Sequence, residues 1–174
     1  MEPITIAASP LTYSEYKKLS LADLRTRHPY QYIGLPIFSI ILLIITVPLI
    51  ISEGVAAIGW ETIGTLLFLP VVSAVILLAT WLTLSRNYKQ KSSIKNGQVC
   101  HLNEQGITFE SNILQTVTWS DIARTAKQSG QWILLRQAAA TSGKSYFLNT
   151  AGVMPPASRT ELLALLKSKR IKPI

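Results

Sequence analysis

The sequence predicts a membrane-spanning helical hairpin joined to an α+β domain. Two apolar runs, 33–52 and 63–84, contain no Asp, Glu, Lys, Arg or His. After residue 98 the hydrophobic pattern changes from helical to alternating, with turn residues between short runs of β-forming side chains. A helical pattern returns near the C-terminus. Together these observations indicate an α-helical hairpin, an antiparallel sheet and one C-terminal helix.

Each apolar run is long enough to cross a bilayer. A hydrocarbon core about 30 Å thick takes roughly 20 helical residues, because every backbone polar group must be satisfied within the segment. The stretch 53–62 is too short for a domain and is predicted to be the outer loop of the hairpin. Because its spans 33–52 and 63–84 contain no ionisable groups, the hairpin 33–84 resembles an anchor rather than a transport pathway. Pro48 and Pro70 are interpreted as kinks that lipid tolerates, with a functional hinge as the alternative.

Basic residues predict the orientation of the hairpin, since Lys and Arg near a span resist translocation. They lie before the first span and after the second, whereas the loop between carries Glu53 and Glu61. Both termini are therefore predicted to be cytoplasmic. These side chains and a basic C-terminal tail are the predicted contacts with anionic lipid headgroups. The set is Lys17, Lys18, Arg25, Arg27, Arg86, Lys89, Lys91, Lys95, Lys167, Lys169, Arg170 and Lys172.

Aromatic side chains mark the expected interfaces, where a ring can lie between lipid and water. Tyr30, Tyr32, Trp81 and Tyr88 are predicted on the inner side, and Trp60 on the outer side. Their positions agree with the depths that the two spans imply.

The first 32 residues are predicted to form a short strand followed by a juxtamembrane helix. Residues 4–6 alternate as a strand does, and Thr12 with Glu15 has the spacing of a capping box. The helix is expected from about Tyr13 to Arg27, ending before His28 and Pro29. We expect it to lie along the inner membrane surface or to pack on the cytoplasmic domain.

Residues 85–97 are a basic linker, and residues 98–174 are predicted to form the cytoplasmic domain. Ser158 and Glu161 have the spacing of a second capping box, which opens a helix to about Lys169 with leucines on one face. Turns are expected at 103–106 and at Asn112, and a looser loop at 138–143. The strands are expected at 99–102, 107–110, 114–119, 122–127 (one bent strand with the preceding run, or two), 131–136 and 145–148.

A sheet of six or seven strands closed by a C-terminal helix is the architecture of pleckstrin-homology-like (PH-like) domains. The order of two spans, a basic linker and the motifs 106–108 and 119–122 resembles the bacterial YcxB-like family over most of the chain. The resemblance implies a PH-like domain at the bacterial inner membrane and implies no enzymatic activity. One departure is the segment 155–159, where family members often carry basic and aromatic residues. The motif residues, interpreted as structural, are Gly106, Trp119, Asp121 and Ile122.

Catalytic and cofactor motifs are incomplete, so we predict no enzyme, no cofactor and no metal. The run 143–145 resembles the end of a P-loop, but Ala138 replaces the first glycine. Two S-x-x-K patterns lack the companion motifs of serine–lysine hydrolases. Cys100 and His101 are neighbours in a predicted strand, so their side chains point to opposite faces. The net charge of +8 flanks the spans, which favours lipid headgroups over nucleic acid.

Two functions remain open from the sequence. The first is a membrane-anchored binding or scaffold module, whose sheet edge, loops or helix groove recruits a protein or peptide. The alternative is an immunity protein against a membrane-acting toxin or bacteriocin. The residues do not identify the partner, and a homo-oligomer stays open.

Overall fold

The structure is a computed structural model that describes residues 3–54, 59–110, 115–138 and 144–173. The chain is α+β and divides into two compact units. One unit combines residues 1–19 with residues 87–174, and the other consists of residues 20–86. The predicted segment 1–32 is thus divided, because its strand belongs to a sheet whose other strands follow the apolar runs.

The second unit contains both apolar runs as helices. Helix α1 (Tyr13–Arg27) ends where predicted, and a π-helical turn (Tyr30–Gly34) leads into α2 (Leu35–Glu53). Helix α3 (Trp60–Gln90) extends past the predicted span 63–84 at both ends. The polar residues on either side of the predicted span continue the helix. The predicted bounds include only the residues that are apolar enough to lie in lipid.

Most of the apolar surface of α2 and α3 is uncovered. Only 11% of the most apolar 18-residue window of each helix is buried, so neither resembles the core helix of a soluble protein. Ile44, Phe68 and Leu78 are more than half exposed. The Tyr32 hydroxyl lies 2.9 Å from Thr80 Oγ1 and joins the two helical segments. By length and composition, both helices could cross a membrane.

The first unit contains a four-stranded antiparallel sheet in the order β1-β2-β3-β4. Strand β1 is Ile4–Ile6, β2 is Val99–Leu102, β3 is Gly106–Glu110 and β4 is Gln115–Thr118. Ile4 pairs with Leu102, and Ile6 pairs with Cys100. In the order of the chain, the hairpin therefore lies between two strands that pair with each other in one sheet.

A second sheet has the order β7-β6-β5-β8. Strands β5 (Thr125–Ser129), β6 (Trp132–Arg136) and β7 (Ser145–Asn149) pair antiparallel, and β8 (Lys172–Pro173) is parallel to β5. Of the alternatives for 114–127, two strands are correct. A 3-10 turn at Trp119–Asp121 separates them, so β5 begins later than predicted.

The core of this unit joins both sheets to helix α5 (Arg159–Ser168). Leu162, Leu165 and Leu166 are buried in the same cluster as inward side chains of the strands, as their spacing predicts. Both predicted capping boxes form, at the starts of α1 and α5. A short helix α4 (Ser92–Asn96) lies in the predicted linker.

Some predicted features lie outside the described residues. They are the turn at Asn112, the start of a strand at Leu114, the loop 139–143 and the middle of the outer loop, 55–58.

Candidate binding groove

A groove of about 900 Å³ opens in the first unit along strand β7. Lys144, Ser145, Tyr146, Phe147 and Asn149 all line it. Successive strand residues point to opposite faces of a sheet. A groove that touches both faces of β7 therefore runs along the edge of the strand.

The opposite wall of the groove includes the end of the first sheet. The two sheets join where the Ala7 N–H donates to the Gly152 carbonyl at 2.8 Å and the Met154 N–H donates to the Thr5 carbonyl at 2.9 Å. Ile6 and Ala7 also line the groove. Strand β1 thus contacts the segment that follows β7, and the groove opens beside this junction.

Apolar and aromatic side chains form the floor. Phe109 and Tyr146 stack with ring centroids 4.7 Å apart and planes 14° apart. Burial raises the pKa of Tyr146, and the charge of Asp121 raises it further. Cys100 is 2% exposed, and burial raises the pKa of its thiol to about 12. This thiol is an inert part of the floor, because thiolate is the reactive form.

The rim carries charges of both signs, but the acid is already engaged. Lys91 and Lys144 are exposed lining residues. The carboxylate of Glu110 is 2.9 Å from His101 Nε2, and His101 Nδ1 is 3.0 Å from Thr5 Oγ1. The two lysines outnumber this acid, so the described lining residues carry a net positive charge.

The first part of α1 supports the outer face of the second sheet. Trp132 and Leu134 are buried, although they point away from the shared core. The Trp132 indole N–H donates to Glu15 Oε1 at 3.1 Å, and the rings of Tyr16 and Phe147 are 5.7 Å apart. The predicted alternative in which this helix packs on the domain thus holds for its N-terminal turns.

Glu15 connects the helix cap to the sheet. Its carboxylate accepts the Thr12 N–H at 3.0 Å and the Thr12 hydroxyl at 2.7 Å, in addition to the indole N–H. The Thr12 hydroxyl is the main reason that the pKa of Glu15 lies below its ordinary value of 4.5, and the other two donors add to it against the opposing effect of burial.

Two chain segments are joined at one end of the groove. The Leu11 N–H donates to the Ile94 carbonyl at 3.1 Å, and the Tyr88 hydroxyl donates to the Leu11 carbonyl at 3.0 Å. Gly97 has φ +79°, and its α-carbon faces the backbone of Ser9. Residues before and after the hairpin thus hold each other within the domain.

The predicted lipid contacts are mostly exposed, as headgroup contacts require. Arg27 forms an ion pair with Asp23, and the Lys169 ammonium donates to the Glu104 carbonyl at 2.9 Å. Lys17 and Lys169 are half-buried. The exposed members are Lys18, Arg25, Arg27, Arg86, Lys89, Lys91, Lys95, Lys167, Arg170 and Lys172.

The predicted interface aromatics fall into two groups. Tyr30, Trp60 and Trp81 are exposed, and Tyr32 bonds to Thr80. Tyr88 instead packs within the domain, with its ring 5.3 Å from that of Tyr13 and 5.6 Å from that of Tyr16. Sequence position alone does not reveal these tyrosine contacts.

The motif residues have structural positions. The Trp119 indole N–H donates to the Asn103 carbonyl at 2.8 Å, and its ring packs against the core, as predicted. Asp121 lies in the 3-10 turn and accepts from the Thr118 hydroxyl. Ile122 is buried in the core, and Gly106 is buried at the start of β3. Cys100 and His101 lie on opposite faces of β2, as their spacing predicts.

The groove itself was not predicted. In the sequence, Lys144 and Ser145 belong to the end of an incomplete P-loop pattern, and the alternation after them indicates a strand. The sequence offers no signal that this strand is at an edge, because strand order depends on partners distant in sequence.

The architecture defines a class of protein: an α+β domain interrupted by a pair of long apolar helices. No known protein family, curated protein or solved structure matches the chain, so its resemblance to the YcxB-like family stays a prediction.

Proposed function

We propose that this protein is a membrane-anchored binding module, in which a PH-like domain recruits a protein or peptide at the cytoplasmic face of the inner membrane. The observation that carries the proposal is the groove along β7, lined by apolar side chains and open backbone. Pockets that bind ligands combine an apolar lining with a few polar groups and have volumes of about 300 to 1,000 Å³. The volume of this groove lies in that range, and its lining combines apolar and polar side chains.

A PH-like fold for the domain is supported by its strand order. Strands β1 to β4 form one sheet, β5 to β7 form most of the other, and the leucines of α5 share their core. The YcxB-like resemblance of the motifs around Gly106 and Trp119 agrees with this interpretation. The stacking of these layers leaves the edge of β7 accessible to a partner.

Membrane anchorage is supported by the uncovered apolar surface of α2 and α3. Side chains such as Ile44 and Phe68 would contact water in a soluble protein, but lipid would cover them in a bilayer. The basic residues on both flanks favour cytoplasmic termini. Anchoring would raise the local concentration of the domain for partners at the membrane.

Topology is tested by reporter fusions in bacterial cells. A periplasm-active reporter inserted at Gly59 should be active, and the same reporter at the C-terminus should be inactive. A cytoplasm-active reporter should give the opposite result. An external C-terminus would contradict the proposed arrangement.

Recruitment is tested by photo-crosslinking in cells that express the full chain. A photoreactive amino acid at Ser145, in the groove, should give a discrete protein adduct. The same amino acid at Thr116, on an exposed part of the first sheet, is the matched control and should not give that adduct. Lipid adducts alone at Ser145, or identical adducts at both positions, would argue against recruitment through the groove.

A further inference from the structure

We propose that the groove binds an extended peptide that contains apolar and acidic residues and adds to the second sheet as a strand beside β7. The inference rests on the proposed function and names the chemistry of its partner. Backbone pairing, the apolar floor and the rim charges each support it.

The backbone argument comes from the register of β6 and β7. The Gln137 N–H donates to the Lys144 carbonyl at 3.0 Å, and the Thr150 N–H donates to the Gln131 carbonyl at 2.7 Å. Residues of an antiparallel strand alternate between pointing their polar backbone groups toward and away from a given neighbour. The backbone N–H and C=O groups of the even-numbered residues 144–150 therefore point toward β6.

The odd-numbered residues of β7 present their backbone groups at the other edge. These are the N–H and C=O groups of Ser145, Phe147 and Asn149, and among the described residues β7 is the last strand in the order of its sheet. Such an edge is a template for an incoming extended chain, as in β-strand addition. All three residues line the groove.

The floor selects apolar side chains on one face of the added strand. Alternate residues of an extended peptide would point inward, toward Cys100, Phe109 and Tyr146. Their neighbours would point to the opposite face of the sheet. The five residues of β7 correspond to a length of about 17 Å, so the paired part of the peptide is about five residues long.

The rim favours acidic side chains in the peptide. The Lys91 and Lys144 ammonium groups are exposed there, while the Glu110 carboxylate is engaged by His101. An acidic peptide therefore meets complementary charge, whereas a basic peptide is repelled.

Binding is measured with the full chain in nanodiscs of uncharged phosphatidylcholine. The probe is the fluorescein-labelled peptide Gly-Glu-Val-Glu-Val-Glu-Val-Gly, followed by fluorescence anisotropy. We expect saturable binding that weakens at least tenfold when lysines replace the glutamates. We expect a similar loss when prolines replace both the central valine and the glutamate before it, because one of these two residues must pair with β7 and proline lacks the N–H.

Two pairs of variants test the site. Lys144→Glu should weaken binding at least tenfold, whereas Lys167→Glu, the same charge change on α5, should leave it within about twofold. Ser145→Pro removes an N–H from the open edge and should weaken binding at least fivefold. Ser145→Ala keeps that N–H and should weaken binding much less than Ser145→Pro does. Unfolding curves of each variant establish that the fold is intact.

Several outcomes would overturn the inference. Equal binding of the acidic and basic peptides would exclude charge selection, and insensitivity to both Lys144→Glu and Ser145→Pro would exclude this edge. Self-association that Ser145→Pro abolishes would assign the edge to a second copy. Binding to phosphatidylglycerol vesicles that Lys144→Glu abolishes, without peptide binding, would make the groove a headgroup site.

The two proposals can fail separately. A specific protein adduct from Ser145 together with no binding of the acidic peptide would overturn the peptide chemistry and leave the recruitment function standing. If no specific protein adduct forms from Ser145, the recruitment function itself is overturned.

Discussion

At Gly97, both the backbone conformation and the packing of neighbouring backbone favour glycine over any residue with a Cβ. Its φ of +79° lies in the left-handed region, and an added Cβ would lie 2.5 Å from the backbone nitrogen of Ser9. Gly130 also has a positive φ, of +60°, but a Cβ there meets nothing within 4 Å among the described residues. An added Cβ would meet close backbone atoms at Gly97 only, whereas a positive φ restricts both glycines.

We predict that Gly97→Ala destabilises the domain more than Gly130→Ala does. The positive φ alone costs alanine about 1 kcal/mol in both variants, and the ψ of 170° at Gly97 places that residue in a region essentially restricted to glycine. Displacing the backbone of Ser9 should bring the total for Gly97→Ala to about 2 kcal/mol or more. Urea unfolding of the full chain in nanodiscs measures both values. Equal losses of unfolding free energy would contradict the close packing of these segments.

Glu15 makes the stability of the docked helix depend on pH. A carboxyl with a lowered pKa in the folded state contributes stability above its unfolded pKa, and this contribution is lost as pH falls through the folded value. The wild type should therefore lose stability as pH falls below about 4.5, the ordinary pKa of this carboxyl.

We predict that Glu15→Gln is less stable than the wild type at pH 7 and that the difference shrinks toward pH 3. Unfolding free energies across this pH range measure the effect. Glu161→Gln is the matched control, since Glu161 caps α5 in the same way at the other end of the domain. Glu15 is intact in the Glu161→Gln protein, so the loss of unfolding free energy that Glu15 causes at low pH should remain. A difference between Glu15→Gln and wild type that is constant with pH would contradict this role.

At the scale of elements, α5 is stabilised by its cap and by a single buried face. The Ser158 hydroxyl accepts the Glu161 N–H, and the Glu161 carboxylate accepts the Ser158 N–H. Leu162 is fully buried, whereas its neighbour Leu163 is partly buried against the same core. Adjacent leucines of one helix thus have different environments.

We predict that Leu162→Ala costs about 2 to 5 kcal/mol of unfolding free energy, because it leaves a cavity in the core. Leu163→Ala has the same change in helix propensity and should cost clearly less. Thermal or urea unfolding measures both variants. Similar costs for the two would mean that α5 does not pack with the face that its leucines define.

At the scale of the whole molecule, the hairpin interrupts a sheet rather than preceding a domain. Ile4 and Ile6 of β1 are buried in the core that the strands after residue 98 complete. Leu11, Tyr16 and Leu19 are buried as well, and the contacts of Glu15 and Tyr16 connect α1 to the second sheet. The domain therefore needs the residues before the first apolar helix.

We predict that residues 87–174 alone do not unfold cooperatively, whereas a fusion of residues 3–19 to residues 87–174 through a Gly/Ser linker does. The fusion restores β1 and the docked turns of α1 without the apolar helices. Urea unfolding by tryptophan fluorescence and limited proteolysis distinguish the two proteins. Equal cooperativity would show that β1 is dispensable to the sheet.

Local pattern determined much of this protein from the sequence alone. The helix 13–27, both capping boxes, most strand positions and the two long apolar helices follow from side chains close together in the chain. The opposite directions of Cys100 and His101 follow in the same way, because the alternation of a strand is a local property. Each of these features is set by neighbours within a few residues.

Which segments of the chain pair with or contact each other depends on the tertiary structure. The pairing of β1 with β2 joins residues on either side of the hairpin, and the groove exists because β7 is last in its sheet. Tyr88 contacts Tyr13 and Tyr16 for the same kind of reason. Strand order and burial depend on the free energy of contacts between distant segments, and no short window of the sequence contains that information.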